Sequence, residues 1–213
     1  MNIDLTGQSI LLTGGSRGIG ISICERLLES GARVAVVSRT QTEAIKALKS
    51  DRFLHVPADL SKNDEIEMAF NRVRHVWGDV HGLVNNAGIA LSSDPEGDNQ
   101  QWLEDWDQTL QVNLIATALF SKFFLAQKIP GRLVHISSRA AFRGDTPGYM
   151  AYAASKGGVV SLSRSIARGY GKEGVKSFVI APGFVRTSMS QDFVDTYGEE
   201  FLTSDLSLEQ LTE

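Results

Sequence analysis

The sequence has few of the features that mark a disulfide scaffold or a membrane protein. Its 213 residues include one cysteine, Cys24, which cannot form an internal disulfide and is expected as a small core residue in a buried helix. No segment approaches the roughly 18 consecutive apolar residues of a membrane span, and the N-terminus lacks the basic and apolar regions of a signal peptide. We therefore expect a cytoplasmic protein that does not associate with membranes.

Basic stretches and clustered metal ligands are scarce as well. The 21 Lys and Arg residues are outnumbered by 25 Asp and Glu residues, which gives a net charge of −4 and argues against nucleic-acid binding. The four histidines are scattered, and their spacing predicts no metal site. A hydrophobic content of 42% in a chain of this length is typical of one globular domain, to which we assign residues 1–213.

Short apolar runs alternate with segments of helical periodicity along the chain. Strands are predicted at 8–13, 33–38, 53–56, 82–85, 132–137 and 175–180. Helices are predicted at 19–28, 44–48, 64–77, 101–127 and 149–170. This alternation indicates the α/β class, with a doubly wound and mostly parallel sheet between two layers of helices. The favoured strand order is 3-2-1-4-5-6, and such sheets bind ligands at the carboxyl ends of their strands.

A glycine-rich turn, from Thr13 to Gly20, follows the first predicted strand and opens the first helix. Glycines let the backbone of such a turn approach a phosphate closely, and the helix N-terminus offers free N–H groups and partial positive charge. The spacing Gly-x-x-x-Gly-x-Gly differs from the dinucleotide fingerprint Gly-x-Gly-x-x-Gly, so a plain strand-to-helix turn is the alternative interpretation. The turn lacks the Gly-Lys-Ser/Thr ending of a P-loop, which argues against nucleoside triphosphate hydrolysis.

Residues at the end of the second predicted strand favour a phosphorylated dinucleotide. An acidic residue at this point would bind a ribose hydroxyl of NAD, but this sequence has Ser38 and Arg39. A guanidinium matches a 2′-phosphate, and Arg17 in the glycine-rich turn could reach the same group. Each arginine alone could be a solvated surface charge. Together at these two places they predict NADP(H) in preference to NAD(H).

Tyr152 and Lys156 lie four residues apart and therefore on one face of a predicted helix. A free phenol has a pKa of about 10, and a nearby cation favours the phenolate and lowers that pKa. Tyr152 could then exchange a proton with a ketone or an alcohol. Without further context, the same spacing is also common on helix surfaces.

Three further polar residues stand where an active site would use them. Ser137 and Ser138 end the fifth predicted strand, where a hydroxyl could stabilise charge on a substrate oxygen, although serine is also common in strand-end turns. Asn113 interrupts an apolar helix, and a buried amide there must find hydrogen-bond partners. It indicates either a polar network or a kinked position in the helix.

Taken together, these residues resemble the short-chain dehydrogenase/reductase family, in which the NADP-dependent 3-oxoacyl reductases are one matching branch. The resemblance runs in order from about residue 5 to about residue 190 and implies one Rossmann-type domain. It rests on the motif Thr13-Gly14-x-x-x-Gly18-x-Gly20, on Asp59-Leu60, on Asn85-Asn86-Ala87-Gly88, on Asn113, Ser138, Tyr152 and Lys156, and on Pro182-Gly183.

The resemblance implies a catalytic set of four residues. Tyr152 would be the general acid/base, and Lys156 would hold the nicotinamide ribose and lower the Tyr152 pKa. Ser138 would orient the substrate carbonyl, with Ser137 as the second choice. Asn113 would sustain a water chain that relays protons to Lys156. The implied reaction is hydride transfer between NADP(H) and a carbonyl/alcohol pair.

The resemblance also implies the cofactor contacts. Asp59 and Leu60 would flank the adenine, with the Asp59 carboxylate accepting a bond from its amino group. The full set of expected cofactor-binding residues is Gly14, Ser16, Arg17, Gly18, Ile19, Gly20, Ser38, Arg39, Asp59, Leu60, Asn86, Ala87, Gly88, Tyr152, Lys156, Pro182, Gly183 and Thr187.

The C-terminal part departs from the family pattern. Residues 188–205, which follow Pro182-Gly183, are expected to cover the substrate. The chain stops at Glu213, before the helix and seventh strand that relatives usually add, so the seventh strand is expected to be absent and the sixth to be an exposed edge. The chain would then be a fragment, or a partner would cover that edge.

Three functions are compatible with these residues. The leading one is an NADP-dependent carbonyl reductase or alcohol dehydrogenase for a small to medium, rather apolar substrate. The second is a C-terminally shortened protein that binds the cofactor with little or no turnover. The third is a non-catalytic interaction module that uses the fold alone, against which the intact catalytic set argues. The resemblance further implies a homodimer or homotetramer built from helices 101–128 and 149–170.

Overall fold

A six-stranded parallel sheet forms the centre of the protein. The structure is a computed structural model that describes residues 3–185. Its strands are β1 (Ser9–Thr13), β2 (Arg33–Ser38), β3 (Phe53–Pro57), β4 (Gly82–Asn85), β5 (Gly131–Ile136) and β6 (Val175–Ile180). They lie in the order β3-β2-β1-β4-β5-β6, and the neighbouring strands pair in parallel. The predicted fold class and strand order are thereby confirmed.

Helices connect the strands and cover both faces of the sheet. They are α1 (Gly18–Glu29), α2 (Glu43–Ala47), α3 (Asn63–Trp77), α4 (Asn99–Leu110), α5 (Ala116–Leu125), α6 (Ala140–Arg143) and α7 (Met150–Tyr170). A π-helical turn (Gln111–Ile115) separates α4 from α5, and 3₁₀ turns occupy Pro147–Tyr149 and Gly171–Glu173. The helix predicted at 101–127 is therefore interrupted. Within residues 3–185, no helix has the length and apolar character needed to cross a bilayer.

The middle residues of the central strands, residues 10–12 of β1 and 83–84 of β4, are apolar because helices cover the sheet on both sides. On one face Leu83 packs into a cluster with Phe70 of α3 and Phe120 of α5. On the other face Leu12 packs with Cys24 of α1. Cys24 has no exposed surface, and burial raises the pKa of its thiol to about 12, so its predicted role as a core residue is confirmed.

The carboxyl ends of the strands meet at one edge of the sheet, and the predicted site residues follow them. Parallel pairing sets Thr13 opposite both Val37 and Asn85. The loops after β1, β2 and β4 therefore leave the sheet side by side. Thr187 and the segment 188–205, which is expected to cover the substrate, lie outside the described residues. The expectation that a seventh strand is absent also concerns residues outside this range and stays a prediction.

Candidate active site

The glycine-rich turn is held against the residues that follow β4. The Thr13 hydroxyl accepts bonds from the backbone N–H groups of Asn86 and Ala87, both at 3.1 Å. The Asn86 side chain donates to the carbonyl oxygens of Thr13 and Gly14 at 3.1 and 2.9 Å. A side chain at Gly20 would collide with the Gly14 carbonyl and the Asn86 amide, so the close approach of these segments requires glycine.

The N-terminus of α1 opens directly onto this turn. The helix begins at Gly18, and Arg17, the residue before it, provides no side-chain cap. The N–H groups of the first helical turn, from Gly18 through Ile19 to Gly20, are therefore available to an anion, and the helix dipole favours negative charge at this end. The turn and the helix start fit the pyrophosphate of a dinucleotide.

The turn after β2 carries the residues predicted to recognise a 2′-phosphate. Ser38 is buried, and its hydroxyl donates to the Thr40 carbonyl at 3.2 Å and lies 3.0 Å from His55 Nε2. Arg39 and Arg17 are exposed on the two loops, and neither forms an ion pair with another residue of the described range 3–185. Two unpaired guanidinium groups at this end of the site fit an anionic ligand.

Asp59 and Leu60 follow β3, as predicted. The Asp59 carboxylate accepts bonds from the N–H and the hydroxyl of Ser61 at 3.0 and 2.9 Å. The Ser61 N–H is the main cause that holds the pKa of Asp59 below its usual value, and the Arg39 guanidinium lowers it further. Leu60 is buried. An ionised carboxylate and Arg39 therefore lie on the same side of the site.

Lys156 is a buried cation beside the Tyr152 ring. Both residues are on one face of α7, and Lys156 Nζ lies 5.6 Å from the centroid of the ring. Lys156 is only 4% exposed, and its Nζ donates to the Ile136 carbonyl at 2.9 Å. Burial lowers the pKa of Lys156 to about 8, because a charged amine loses most of its hydration there.

The pKa of Tyr152 is raised and not lowered, which corrects the expectation from sequence. Burial is the largest cause; the hydrogen bond with Ser138 lowers the pKa, and the charge of Asp145 raises it again. The Lys156 ammonium lies over the ring and does not offset the burial in the chain alone. The Tyr152 hydroxyl is therefore firmly protonated at neutral pH.

The two serines after β5 have different surroundings. Ser138 is half-buried, hydrogen-bonds with Tyr152, and accepts a bond from the Ala140 N–H at 3.2 Å. Ser137 is buried, and its hydroxyl donates to the Lys156 carbonyl at 2.9 Å. The structure thus brings Ser138 to the phenol, whereas Ser137 fastens α7 to β5.

Asn113 lies in the π turn and is 1% exposed. Its side chain exchanges two bonds with the Ile89 backbone, both at 2.8 Å, and Nδ2 also donates to the Ser155 hydroxyl at 3.0 Å. A methyl group at Gly88 would lie 3.2 Å from Lys156 Nζ and 3.3 Å from Asn113 Oδ1, so these two side chains border the same glycine. The polar network and the distorted helix, which were alternatives from the sequence, are both present.

Pro182 and Gly183 follow β6 and adjoin the serine loop. The Pro182 carbonyl accepts a bond from the N–H of Arg139, which is the residue after Ser138. The expected contacts at the end of β6 therefore lie next to the residues expected to bind substrate.

Some parts of the site were not predicted from the sequence. Ser155 joins the network because its hydroxyl donates to the Tyr152 carbonyl at 2.7 Å, and its place within the Tyr-x-x-x-Lys segment was an available signal. Asp145 acts on Tyr152 through its charge, across a loop whose path the sequence does not show. The backbone groups of Ile89 and Ile136 that bind Asn113 and Lys156 could not be predicted from sequence, because every residue type has them.

Most of the chain matches a known family. The family model for short chain dehydrogenases matches residues 8–198. The chain belongs to the short-chain dehydrogenase family. Among curated relatives of this short-chain dehydrogenase, the 3-oxoacyl-[acyl-carrier-protein] reductase FabG of Haemophilus influenzae is 33% identical to it, over 90% of the chain and 79% of the relative.

Solved structures of similar proteins share the fold of this short-chain dehydrogenase. A short chain dehydrogenase from Burkholderia cenocepacia, in complex with NADP, has a TM-score of 0.80 and 32% identity, covering 87% of this chain and 77% of its own. A 3-ketoacyl-(acyl-carrier-protein) reductase from Brucella melitensis, complexed with NADH, has a TM-score of 0.82 and 25% identity, covering 95% of this chain and 84% of its own.

Proposed function

We propose that this short-chain dehydrogenase transfers a hydride between NADP(H) and a carbonyl/alcohol pair. The observation that carries the proposal is the grouping of Tyr152, Lys156, Ser138 and Asn113 at the carboxyl edge of the sheet. The bound nicotinamide supplies or accepts the hydride, and the residues of the chain orient the substrate and handle the proton.

Tyr152 acts as the general acid in carbonyl reduction. Its hydroxyl is protonated because burial raises its pKa, so it can donate to the carbonyl oxygen as that oxygen becomes an alkoxide. Ser138 bonds the same oxygen and orients it, since its hydrogen bond with Tyr152 sets the two hydroxyls side by side. In alcohol oxidation the proton moves in the opposite direction, to Tyr152.

Lys156 and Asn113 support the proton transfer. The Lys156 ammonium holds the nicotinamide ribose, and its position beside the ring stabilises the phenolate that forms when Tyr152 gives up its proton. Asn113 sustains a chain of waters that returns protons to Lys156, which borders the same glycine, Gly88.

The remaining residues of the site hold the cofactor. The turn from Gly14 to Gly20 and the start of α1 would receive the pyrophosphate, and Arg17 and Arg39 would receive the 2′-phosphate. Ser38, which the sequence also assigned to the cofactor, already donates its hydroxyl proton to the Thr40 carbonyl and supports the turn that carries Arg39. Asp59 and Leu60 flank the adenine. The central and nicotinamide regions are contacted by Asn86, Ala87, Gly88, Pro182 and Gly183, and by Thr187, which is outside the described residues.

The substrate we propose is a small to medium, rather apolar carbonyl compound or the corresponding alcohol, and 3-oxoacyl thioesters are the first class to test. Support comes from the reductases of Haemophilus influenzae and Brucella melitensis, whose names specify 3-oxoacyl or 3-ketoacyl groups on a carrier protein. We also propose that the chain forms a homo-oligomer through the face of α5 and α7.

The catalytic role of Tyr152 is tested by Tyr152→Phe. This variant removes the proton donor and little else, so we expect turnover to fall by at least about 100-fold while NADPH affinity stays within about threefold. The measurements are steady-state NADPH oxidation with a panel of ketones and 3-oxoacyl thioesters, and tryptophan fluorescence titration with NADPH.

Retained turnover in Tyr152→Phe would contradict the assignment. A wild-type chain that binds NADPH but turns over no member of the panel would instead favour the second function, a cofactor-binding protein. Ser137→Ala is a suitable comparison, because the Ser137 hydroxyl bonds a backbone carbonyl and should affect turnover far less than Ser138→Ala.

The preference for NADP(H) is tested by Arg39→Ala. Loss of one guanidinium from a phosphate site removes a charge-assisted bond of about 1.5–3 kcal/mol, so we expect the Kd for NADPH to rise by at least about tenfold. The Kd for NADH should change by less than about twofold, since that cofactor has no 2′-phosphate. Equal changes for both cofactors would reject the role of Arg39.

A further inference from the structure

One threonine joins the two loops that carry Arg17 and Arg39. Thr42 precedes α2, and its hydroxyl donates to the Ser16 carbonyl in the glycine-rich turn at 2.8 Å. The same oxygen accepts a bond from the Ile45 N–H at 3.5 Å and so caps α2. A hydroxyl can donate and accept at once, and Thr42 uses both capacities to connect segments that are far apart in sequence.

The turn between β2 and α2 is fixed at both of its ends. At the start, the buried Ser38 hydroxyl bonds the Thr40 carbonyl and pairs with His55 of β3. At the end, Ile45 is 1% exposed and belongs to the apolar cluster under α1. Arg39 lies between these anchors and is exposed. Its backbone position is therefore set by bonds that do not involve its own side chain.

The bond from Thr42 determines where this turn sits relative to the glycine-rich turn. Ser16, which accepts the bond, is the neighbour of Arg17 in the sequence. Like charges on adjacent loops repel each other. The Asp59 carboxylate attracts Arg39 but forms no ion pair with it, and no ion pair within residues 3–185 holds Arg17 in place. A fixed backbone distance between the two loops lets both guanidinium groups reach one anion without first closing a gap.

We propose that Thr42 is a positioning residue that sets the preference for a 2′-phosphorylated cofactor by holding the Arg39 turn against the turn that carries Arg17. The inference deepens the proposed function and rests on it. Thr42 acts through the two arginines, so loss of its hydroxyl weakens the binding of NADPH selectively. NADH lacks the 2′-phosphate and does not depend on the spacing of the two arginines.

The experiment compares Thr42→Val, which removes the hydroxyl and keeps the branched shape, with Thr42→Ser, which keeps the hydroxyl. Dissociation constants for NADPH and NADH are measured by fluorescence titration. We expect Thr42→Val to raise the Kd for NADPH about five- to tenfold, which lies within the range of about 2- to 13-fold that one hydrogen bond covers, and the Kd for NADH less than about twofold. In Thr42→Ser, the Kd for NADPH and the Kd for NADH should both stay within about twofold of the wild-type values.

Thr42→Val also removes the cap of α2, so the loss of a cap needs its own control. Asp98 caps α4 by accepting bonds from the N–H groups of Gln100 and Gln101, both at 3.0 Å. Asp98→Ala removes a comparable cap from a helix outside the cofactor site and should leave the ratio of the two dissociation constants unchanged. If Thr42→Val does not fold, Thr42→Cys replaces it, because a thiol of similar size is a much weaker donor.

A double variant shows whether Thr42 works through Arg39. In an Arg39→Ala background, Thr42→Val should raise the Kd for NADPH less than about twofold further, because the group that it positions is gone. Equal losses of NADPH and NADH affinity in Thr42→Val would overturn the positioning role of Thr42 but not the proposed cofactor preference. The same conclusion would follow if Thr42→Val raised the Kd for NADPH as much in the Arg39→Ala background as in the wild type. A wild-type chain without NADPH preference would overturn the proposed cofactor preference, and this inference with it.

Discussion

Lys156 and Tyr152 have opposite pKa shifts with one common cause. Burial penalises the charged form of each group, so it lowers the pKa of Lys156 to about 8 and raises the pKa of Tyr152 above its usual value. At neutral pH the pair is therefore an ammonium beside a neutral phenol, which is the state that carbonyl reduction needs. The pKa values of Lys156 and Tyr152 therefore depend on how deeply α7 is buried against β5, and not only on the direct contacts of each side chain.

These shifts predict the pH dependence of carbonyl reduction. We expect kcat/KM to fall as the pH rises through about 8, because Lys156 loses its proton there while Tyr152 is still protonated. The measurement is the profile of kcat/KM from about pH 6 to about pH 10, which reports groups of the free enzyme. Arginine keeps its charge over this range, so the activity that remains in Lys156→Arg should show no fall near pH 8. A flat wild-type profile up to about pH 9.5 would contradict the role of the ammonium.

Strands β4, β5 and β6 are joined by one buried imidazole. His135 of β5 has no exposed surface; its Nδ1 lies 3.1 Å from the Asn85 amide nitrogen and its Nε2 lies 3.2 Å from the Ser177 hydroxyl. The NH2 group of Asn85 can only donate, so His135 Nδ1 accepts and Nε2 carries the proton that the Ser177 hydroxyl accepts. The Ser177 hydroxyl in turn lies 2.8 Å from that of Ser163 on α7. The neutral ring is thus part of the packing between three strands and a helix.

This arrangement predicts a loss of stability in mild acid. Burial lowers the pKa of His135 to about 4, whereas in the unfolded chain it is about 6.5. The unfolded state therefore binds more protons between these values, so the stability that the neutral ring contributes is present above pH 6.5 and is lost as the pH falls through about 4. Urea unfolding should show a decrease of about 2 kcal/mol from this group between pH 7.5 and pH 5. His135→Gln should show a correspondingly smaller decrease, and an identical pH dependence in both proteins would exclude this account.

The positions of the strands were predictable from the sequence, whereas the contacts between distant residues were not. The bounds of β2, β4 and β6 agree with prediction because runs such as Arg33–Ser38 are apolar or β-branched along their whole length. The π turn was not predicted, since Asn113 is held there by the backbone of Ile89, which is distant in sequence. The predicted direction of the Tyr152 pKa shift was wrong for a similar reason, because the shift depends mainly on burial and not on the spacing to Lys156.

At the scale of the whole molecule, α5 and α7 leave an open groove between them. The groove has a volume of about 850 Å³, and its apolar lining includes Ala118, Leu125, Leu162, Ile166 and Tyr170. Lys122, Lys128 and Glu173 also line it, so it carries charges of both signs with an excess of positive charge. A surface with both partners of an ion pair can be complementary to itself across a twofold axis. This observation supports the homo-oligomer proposed above, with a second copy of the chain as the occupant.

The oligomer is tested by a charge placed in the groove. We expect light scattering after size exclusion to give at least twice the mass of one chain for the wild type, and Ala118→Arg to shift it to the monomer, because a bulky charge blocks the approach of a second copy. Ala44→Arg on the exposed side of α2 is the control and should leave the mass unchanged. A monomeric wild type, or an Ala118→Arg variant of unchanged mass, would contradict this interface.

The π turn makes the length of the helical stretch between β4 and β5 as important as its side chains. In an uninterrupted α-helix, Trp102 and Phe120 would be about five full turns apart and would share one face. The wider turn at Gln111–Ile115 offsets the two halves by about 100°, and so α4 packs against α7 whereas α5 packs against α3. Loss of one residue here would bring the halves back into phase, turn one of them away from its neighbour and withdraw Asn113 from Ile89. Substitutions on the surface of this stretch are therefore compatible with the fold, whereas a single insertion or deletion would change the register and disturb the candidate active site.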